Sequence, residues 1–285
     1  MRSGPFSFYI MKVAIQGIHG AFHEEAAAQF FGNDMEVVPC MRFDELVTRV
    51  ASGEIDYGAI AVENTISGTL NQNLKLLSNG DIRIIGEVSL RIHQNLGALP
   101  GQDVSSLKEV MSHHMALHQC RKYFDAHPHI RLVEVEDTAL AAKMVADGNL
   151  KGVGAVASSK AMEHYGLETL ASSIETNHTN HTRFFMITGN SGSSSAASPN
   201  KCTLILTIPS VPGSLHAILG VFAEENVDLT KIESIPIEDQ PFHYAFVIDC
   251  SFGHIDQMKR ITPLIESKSE TYQILGFYNS SKIQQ

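Results

Sequence analysis

The chain has 285 residues, enough for two domains with buried cores, and 44% of them are hydrophobic. Its formal net charge of −10 argues against nucleic acid as a partner, because phosphate binding requires clustered Lys and Arg. No apolar run approaches the roughly 20 residues of a membrane span, and residues 1–10 are too short and too weakly apolar for a signal peptide.

The first part of the chain alternates short apolar runs with amphipathic segments. Residues 13–17 predict a buried strand and residues 23–31 a helix. Apolar residues at helical spacing predict a second helix over 43–51. A second buried run covers 57–62, and a helix is expected over 70–77. This alternation indicates parallel βαβ units.

Residues 82–99 contain two long apolar stretches without a helix between them, which predicts a crossing from a first lobe to a second. The alternation then restarts and continues to residue 157. Its expected elements are strands at 109–111, 131–135 and 152–157 and helices at 115–124 and 138–146. Residues 182–188 are expected to return to the first lobe. Two α/β lobes with two crossings predict a hinged cleft that the strand C-termini face.

Residues 190–200 are rich in Ser, Gly and Ala and predict a flexible linker. Beyond it the pattern is strand, helix, strand, strand, helix, strand, which is a ferredoxin-like βαββαβ unit. The expected strands are 202–208, 229–237, 244–250 and 272–278, and the expected helices are 213–224 and 255–265.

Cysteine usage and the N-terminus bear on where the chain resides. Four scattered cysteines without a C-x-x-C pair indicate reduced, buried thiols and a cytoplasmic protein. They are Cys40, Cys120, Cys202 and Cys250. A clean strand pattern begins only at Met11, so residues 1–10 are expected to be an upstream extension or a cloning remnant.

Polar side chains follow several predicted strands, at the edge where an α/β lobe opens into its cleft. Glu63 and Asn64 follow one buried run, and Ser112-His113 holds the matching place in the second lobe. Glu136 ends a further strand, where Asp137 or Thr138 is expected to cap the next helix. Helix capping is also the alternative at the first position, through Thr65, Ser67 or Thr69.

The loop 17–21 lies between a strand and a helix, where backbone N–H groups can hold an anion. A tight turn that requires glycine is an equally good explanation. The loop does not match a nicotinamide-binding site, because the chain lacks G-x-G-x-x-G and an acidic residue after strand two. The spacing of the 14 histidines gives no set of metal ligands: His114 and His118 lack a third partner.

Thr182, Arg183 and Phe184 begin the returning apolar run. In a regular strand Thr182 and Phe184 point one way and Arg183 the other. Both Thr182 and Arg183 enter one cleft only with a twist, a bulge or a loop position; otherwise one of them is structural.

These features together resemble the prephenate dehydratase family from residue 11 to about 278. The matching motifs are Thr182-Arg183-Phe184, Glu63-Asn64 followed by Gly68, Ser112-His113, Gln119-Cys120 and Glu136. The resemblance implies an α/β fold with a two-lobed, periplasmic-binding-protein-like catalytic domain over 11–190. Lobe one would comprise about 11–90 and 172–190, and lobe two about 91–171.

The C-terminal unit, residues 200–280, resembles an ACT domain, a module that binds L-phenylalanine as a feedback inhibitor. The resemblance implies effector contacts at Gly213, Ser214, Leu215, Asp228, Leu229, Glu233 and Ser234. Ile235 departs from the family, which usually has Arg after Glu-Ser; the change removes a fixed charge near the effector site. A homodimer or homotetramer is implied, and the lack of a chorismate mutase-like extension implies the monofunctional form.

The resemblance implies decarboxylating dehydration of prephenate to phenylpyruvate, without a cofactor or metal. Thr182, Arg183 and Phe184 would be catalytic, with Thr182 as hydrogen-bond donor to the departing hydroxyl and Arg183 either binding a carboxylate or bracing the lobes. Substrate binding would fall to Glu63, Asn64, Ser112, Gln119 and Glu136. Two alternatives stay open: arogenate dehydratase, and a non-catalytic amino-acid sensor with the same architecture.

Overall fold

The computed structural model describes residues 10–79, 81–190, 196–237 and 240–281. The predicted extension (except residue 10) and residues 191–195 of the predicted linker lie outside these ranges. The elements, besides a 3₁₀ turn at Val104–Ser106, are β1 (Lys12–Gln16), α1 (Phe22–Phe31), β2 (Glu36–Cys40), α2 (Phe43–Ala51), β3 (Tyr57–Asn64), β4 (Gly68–Thr69), α3 (Asn71–Asn79), β5 (Ile82–Arg91), β6 (Asn95–Ala98), β7 (Glu109–His113), α4 (His114–Gln119), α5 (Arg121–Asp125), β8 (Arg131–Val135), α6 (Thr138–Asp147), β9 (Val153–Ala157), α7 (Ser159–Tyr165), β10 (Glu168–Ala171), β11 (His181–Gly189), β12 (Lys201–Thr207), α8 (Ser214–Glu224), β13 (Asp228–Pro236), β14 (Tyr244–Ser251), α9 (Ile255–Lys268) and β15 (Thr271–Tyr278).

Lobe one is built on a sheet with the strand order β2-β1-β3-β11-β5, and β4 pairs with β3. The first three strands are parallel, as predicted, whereas β11 runs antiparallel to both of its neighbours. Helix α2 shows why these segments fold: its apolar stripe of Leu46, Val47 and Val50 is buried, while Asp44 in the first turn and Arg49 in the last suit the helix dipole.

Lobe two is built on a sheet with the order β10-β6-β9-β7-β8. Strands β7, β8 and β9 are parallel, and β6 runs antiparallel to β9. The predicted crossing therefore divides into β5 in one sheet and β6 in the other. Helix α7 and strand β10 were not predicted, and the predicted helix 115–124 is interrupted at Cys120, which separates α4 from α5.

A single apolar core spans the two lobes. It joins Ala26 and Ala27 of α1 to Ala139 and Ala142 of α6, all of them buried. Small side chains at these positions allow the elements of the two lobes to pack closely. The cleft therefore opens beside a shared core.

The C-terminal unit is the predicted ferredoxin-like βαββαβ unit, an antiparallel sheet with the order β13-β14-β12-β15. Helices α8 and α9 cover one face. The other face packs on lobe one, where Val247 and Leu275 share a core with Leu46 and Leu77. At Gly276 a Cβ would lie 2.1 Å from the carbonyl oxygen of Ile84, so only glycine allows this approach of β15 to β5.

Among the described residues, no helix has both the length and the apolar character needed to cross a membrane.

Candidate active site

A cleft of about 390 Å³ lies between the lobes, where β3, β7 and β8 end and β11 begins. Its lining includes five of the residues singled out in the sequence: Asn64, Gln119, Glu136, Thr182 and Phe184. Thr182 and Phe184 share this face of β11, as strand alternation requires. The fold thus brings together side chains that are more than 100 residues apart in the chain.

A chain of hydrogen bonds joins the two lobes across the cleft. The Nδ2 of Asn180 donates to the Oε1 of Gln119 at 3.2 Å. The Nδ2 of Asn64 donates to the Oδ1 of Asn180 at 2.8 Å and to the Oγ1 of Thr182 at 2.9 Å. Lobe two is therefore connected to the Thr182 hydroxyl through three amides.

The direction of this chain is determined by the backbone. The Oδ1 of Asn64 accepts from the N–H groups of Ile66 and Ser67, both at 2.9 Å. The other end of that amide must then be NH₂, so Asn64 donates to Thr182. The hydroxyl of Thr182 accepts this bond, and its own proton has no acceptor among the described residues. That proton is available to a ligand in the cleft.

Three residues implied by the resemblance lie outside the cleft lining, and the structure corrects their placement. Arg183 and Glu63 point to the opposite face of their strands, towards the C-terminal unit. Ser112 is fully buried in lobe two, where its hydroxyl donates to the carbonyl of Val156 at 2.6 Å. The next residue, His113, lines the cleft instead, because successive strand residues face opposite ways.

The register of β3 contributes to this arrangement. Its pairing with β11 shifts by one residue between Glu63 and Ala61, so Val62 is the extra residue of a bulge. Val62 packs with Ile60 in the core that faces the C-terminal unit, whereas Ala61 and Asn64 line the cleft. The bulge places Val62 and Glu63 on the same side.

The electrostatic character of the cleft is neutral to acidic. Among the described residues of its lining none is Lys or Arg, and Glu136 and Asp137 supply carboxylates. Burial lowers the pKa of His23 to about 3, and burial and then the neighbouring His114 lower the pKa of His113. Both cleft imidazoles are therefore uncharged near neutral pH.

Two buried polar atoms of lining residues have no hydrogen-bond partner among the described residues: Nε2 of His23 and Oε1 of Gln94. The ring of His23 packs against Phe184 and Phe43, with centroids 5.0 and 5.4 Å apart. An unpaired buried polar group costs about 1–3 kcal/mol. Both atoms are therefore open to a partner from a bound ligand or from water.

Sequence reasoning assigned no role to several lining residues, namely Gln16, His23, Gln94, His113 and Asn180. Asn180 carried a signal, since it lies two residues before Thr182, but its bond to Gln119 is visible only in three dimensions. Asp137 caps α6 by accepting from the N–H of Leu140 at 3.0 Å, which confirms the predicted cap.

Over the described residues, the structure contains no group of three or more His, Cys, Asp or Glu side chains with the geometry of a metal site.

A larger cavity, about 1060 Å³, lies beside the C-terminal unit. Gly213, Ser214 and Leu215 line it, as the predicted effector site would require. Gly213 has a φ of 90° and precedes α8. Its described lining shares no residue with that of the smaller cleft, so the two are separate sites.

The remaining predicted effector residues do not line this cavity. Leu229 packs against the core of the C-terminal unit, and Glu233 accepts from the Thr69 hydroxyl. Ser234 is exposed on β13, and Asp228 begins that strand. Eight residue steps along β13 separate Asp228 from the cavity-lining Pro236, a distance of about 26 Å. Within one chain Asp228 and Gly213 therefore cannot contact the same small ligand.

Comparison with known proteins gives consistent results. A family model described as prephenate dehydratase matches residues 13–191, and an ACT domain model matches residues 203–256. A bifunctional chorismate mutase/prephenate dehydratase of Stutzerimonas stutzeri is 34% identical over 94% of this chain and 73% of its own length. Arogenate dehydratase 2 of Petunia hybrida is 36% identical over 87% of this chain and 66% of its own length.

Two solved structures are also similar over almost the whole chain. Prephenate dehydratase of Arthrobacter aurescens in complex with L-Phe has a TM-score of 0.84 and 29% identity, covering 94% of this chain and 90% of that one. GqqA, described as a novel type of quorum quenching acylase, has a TM-score of 0.86 and 29% identity, covering 95% of this chain and 98% of that one.

Proposed function

This chain belongs to the prephenate dehydratase family of hydro-lyases, and we propose that its cleft converts prephenate to phenylpyruvate in L-phenylalanine biosynthesis. One observation carries the proposal. The Thr182 hydroxyl lies in the cleft, accepts from Asn64 at 2.9 Å and keeps its own proton for a ligand. The family's reaction requires such a donor at the oxygen that leaves.

The proposed reaction balances with one proton. The bond from the ring to its carboxylate breaks and releases CO₂, its electron pair completes the aromatic ring, and the bond from the ring to the hydroxyl breaks. The departing oxygen takes up one proton and leaves as water. Thr182 donates a hydrogen bond to that oxygen in the transition state, and solvent supplies the net proton. Aromatisation drives the reaction, so no cofactor is needed.

The lack of Lys and Arg among the described residues of the cleft lining supports a decarboxylation. A guanidinium or ammonium on the ring carboxylate would stabilise the charge that must be lost as CO₂. Here Asn64, Gln119 and backbone N–H groups at the N-termini of α1 and α6 are available to orient the substrate instead. The residues assigned to binding are Gln16, Asn64, Gln94, Gln119 and Asn180, with Phe184 against the ring.

The test is turnover of prephenate by the purified chain, followed as phenylpyruvate formation. We expect Asn64→Asp and Asn180→Leu to lower activity, because each interrupts the amide chain that holds Thr182. A folded wild-type chain that forms no phenylpyruvate would refute the proposed turnover of prephenate and would favour the non-catalytic amino-acid sensor.

Arogenate is the second candidate substrate, and one observation favours it. The Oε1 of Gln94 is a buried acceptor without a donor among the described residues, and the ammonium of arogenate would supply one. Measuring kcat/KM for both substrates decides between them. If arogenate is preferred, we expect Gln94→Leu to lower kcat/KM for arogenate more than for prephenate.

We also propose feedback regulation by L-phenylalanine at the larger cavity, with at least a homodimer as the regulated form. Strand β13 is at the edge of its sheet, and its Ile232 is 44% exposed. Antiparallel pairing of two β13 strands across a twofold axis would bring Asp228 of one copy beside the Gly213 end of the other. This pairing would bring together the predicted effector residues that one chain keeps apart.

Calorimetry and sedimentation test this regulatory proposal. We expect L-phenylalanine to bind at or below millimolar concentration, and Gly213→Val to lose binding because the φ of 90° disfavours a side chain. Ile232→Lys should shift the assembly towards the monomer and weaken binding with it. Unchanged binding in both variants would exclude this cavity as the effector site.

Two further proposals concern the domains and the cellular location of the protein. We assign catalysis to residues 11–190 and regulation to residues 200–280. We assign the protein to the cytoplasm, because four scattered cysteines without a C-x-x-C pair are typical of proteins in a reducing compartment.

A further inference from the structure

Directly behind the cleft, charged side chains connect lobe one to the sheet of the C-terminal unit. Glu63 precedes Asn64 on β3, and Arg183 follows Thr182 on β11. Because strand residues alternate, the two cleft residues and their two charged neighbours point to opposite faces of one sheet. Each cleft residue is thus one peptide bond away from a residue that contacts the C-terminal unit.

Arg183 lies at the centre of one set of contacts. Its Nε donates to the Oε2 of Glu87 at 2.7 Å, one Nη pairs with the carboxylate of Asp249, and the other donates to the hydroxyl of Tyr278 at 3.1 Å. Lys201 closes the set, with Nζ 3.0 Å from both carboxylate oxygens of Glu87. These contacts hold β11 to β14 and β15, and β5 to β12.

Lys231 lies at the centre of a second set. Its Nζ is 3.2 Å from the Oε1 of Glu63 and donates to the Thr69 hydroxyl at 2.6 Å. That hydroxyl donates in turn to the Oε2 of Glu233 at 2.9 Å. Lys231 and Glu233 belong to β13, which continues into Ile235 at the wall of the larger cavity.

We propose that Glu63 and Arg183 are positioning residues that couple the C-terminal sheet to the catalytic hydrogen bond between Asn64 and Thr182; the inference rests on the proposed function. A displacement of β13 pulls on Glu63 through Lys231, and a displacement of β14 or β15 pulls on Arg183. Either changes the geometry of the 2.9 Å bond between the amide and the hydroxyl. A ligand beside β13 thereby acts on a hydroxyl that it never touches.

The experiment compares Glu63→Gln with Glu54→Gln. Both changes neutralise an ion-paired glutamate of lobe one, but Glu54 pairs with Arg49 at the surface. For wild type and both variants we would measure kcat, KM, L-phenylalanine affinity by calorimetry, and the ratio of kcat without effector to kcat at saturating effector. Couplings of this kind typically amount to 5–150-fold.

In Glu63→Gln we expect the inhibition ratio to fall at least about 5-fold, a change at the lower end of typical couplings. Its effector affinity should stay within about 3-fold, since the cavity wall is unaltered. Glu54→Gln should match the wild type in every readout. A purely structural role of Glu63 would lower thermal stability and leave the inhibition ratio unchanged.

Lys231→Met tests the same contact from the other side and covers the case in which Glu63→Gln does not fold. We expect it to reduce the inhibition ratio too. The double variant should show no further reduction, because both single changes already remove the Lys231–Glu63 contact that carries the coupling. An active, inhibited wild type whose folded variants keep its inhibition ratio would overturn this inference alone. A wild type without dehydratase activity would overturn the proposed function and this inference with it.

Discussion

The two faces of strands β3 and β11 carry opposite kinds of polar group. The cleft face presents Asn64 and Thr182, an amide and a hydroxyl in one hydrogen-bond chain. The rear face presents Glu63 and Arg183, both ion-paired with residues of neighbouring elements. Neutral groups with spare hydrogen-bonding capacity can serve a ligand, whereas paired charges hold two sheets together. Because neighbouring side chains on a strand point to opposite faces, the same two strands provide both surfaces.

The rear face illustrates why a buried charge has to be paired. Burial opposes the charge of Arg183, yet Asp249, Tyr278 and Glu87 outweigh it and raise the pKa of the guanidinium. Burial and the charge of Asp249 likewise raise the pKa of Tyr278. Arg183 therefore stays charged at any working pH. Its removal leaves the buried carboxylate of Asp249 without a cation, whereas Glu87 keeps its pair with Lys201.

The largest expected effect is on stability, in Arg183→Met. With Asp249 left buried without a cation and Glu87 reduced to its pair with Lys201, we expect the free energy of unfolding to fall by about 3–5 kcal/mol. Denaturant unfolding measures it. Arg131→Met is the matched control, since Arg131 is 70% exposed in its pair with Glu109 and should cost less than about 1 kcal/mol. Equal losses of unfolding free energy in both variants would contradict the claim that Arg183 holds lobe one to the C-terminal unit.

The next largest effect is on catalysis, in Thr182→Ala. Removing a donor to the leaving oxygen typically lowers kcat by about 10²–10³-fold, and we expect KM to change by only a few fold. Steady-state kinetics with the preferred substrate measures both. Thr182→Ser keeps the hydroxyl and should recover most of kcat; a serine variant as inactive as the alanine variant would show that the hydroxyl is not what matters.

An intermediate effect is expected on acid stability, through His23. Its pKa is lowered to about 3 in the folded chain, so the unfolded chain binds the proton first as the pH falls. The stabilising contribution is complete above the ordinary pKa of about 6.5 and is lost towards pH 3, by up to about 1.4 kcal/mol per pH unit. In His23→Phe the dependence of unfolding free energy on pH between 6.5 and 4 should be shallower by one proton. If the slope of unfolding free energy against pH were unchanged in this variant, His23 would not be the cause of the acid sensitivity.

The smallest effect concerns Ser112, which the resemblance assigned to substrate binding and the structure buries in lobe two. We expect Ser112→Ala to lower stability by about 1 kcal/mol, through the lost bond to Val156, and to leave kcat/KM within about 2-fold. Kinetics and unfolding on the same sample measure both. A large rise in KM would return Ser112 to the binding site.

Local patterns in the sequence predicted much of this arrangement. Alternation along 182–184 correctly put Thr182 and Arg183 on opposite faces, and the position of Asp137 before an apolar run correctly indicated its helix cap. Both follow from properties of a few neighbouring residues. The ferredoxin-like unit was predicted for the same reason, since each of its elements is long and strongly patterned.

Features that depend on tertiary contacts were not predictable. The sequence pattern predicted Glu63 at the end of a strand. The face to which its side chain points depends on the bulge at Val62, which pairing with β11 creates. The role of Asn180 depends on Gln119 from the other lobe. Asp228 and Gly213 look like one site in the family motifs, yet they lie at opposite ends of a sheet.

The central claim is that two adjacent residues of β11 have different roles. Thr182 takes part in catalysis, and Arg183 holds lobe one to the C-terminal unit. The most direct measurement is kcat together with the free energy of unfolding for Thr182→Ala and Arg183→Lys, each relative to the wild type. The account predicts that Thr182→Ala loses about 10²–10³-fold in kcat at almost unchanged stability. It predicts that stability is the main loss in Arg183→Lys. A Thr182→Ala variant that keeps most of the wild-type kcat would contradict it.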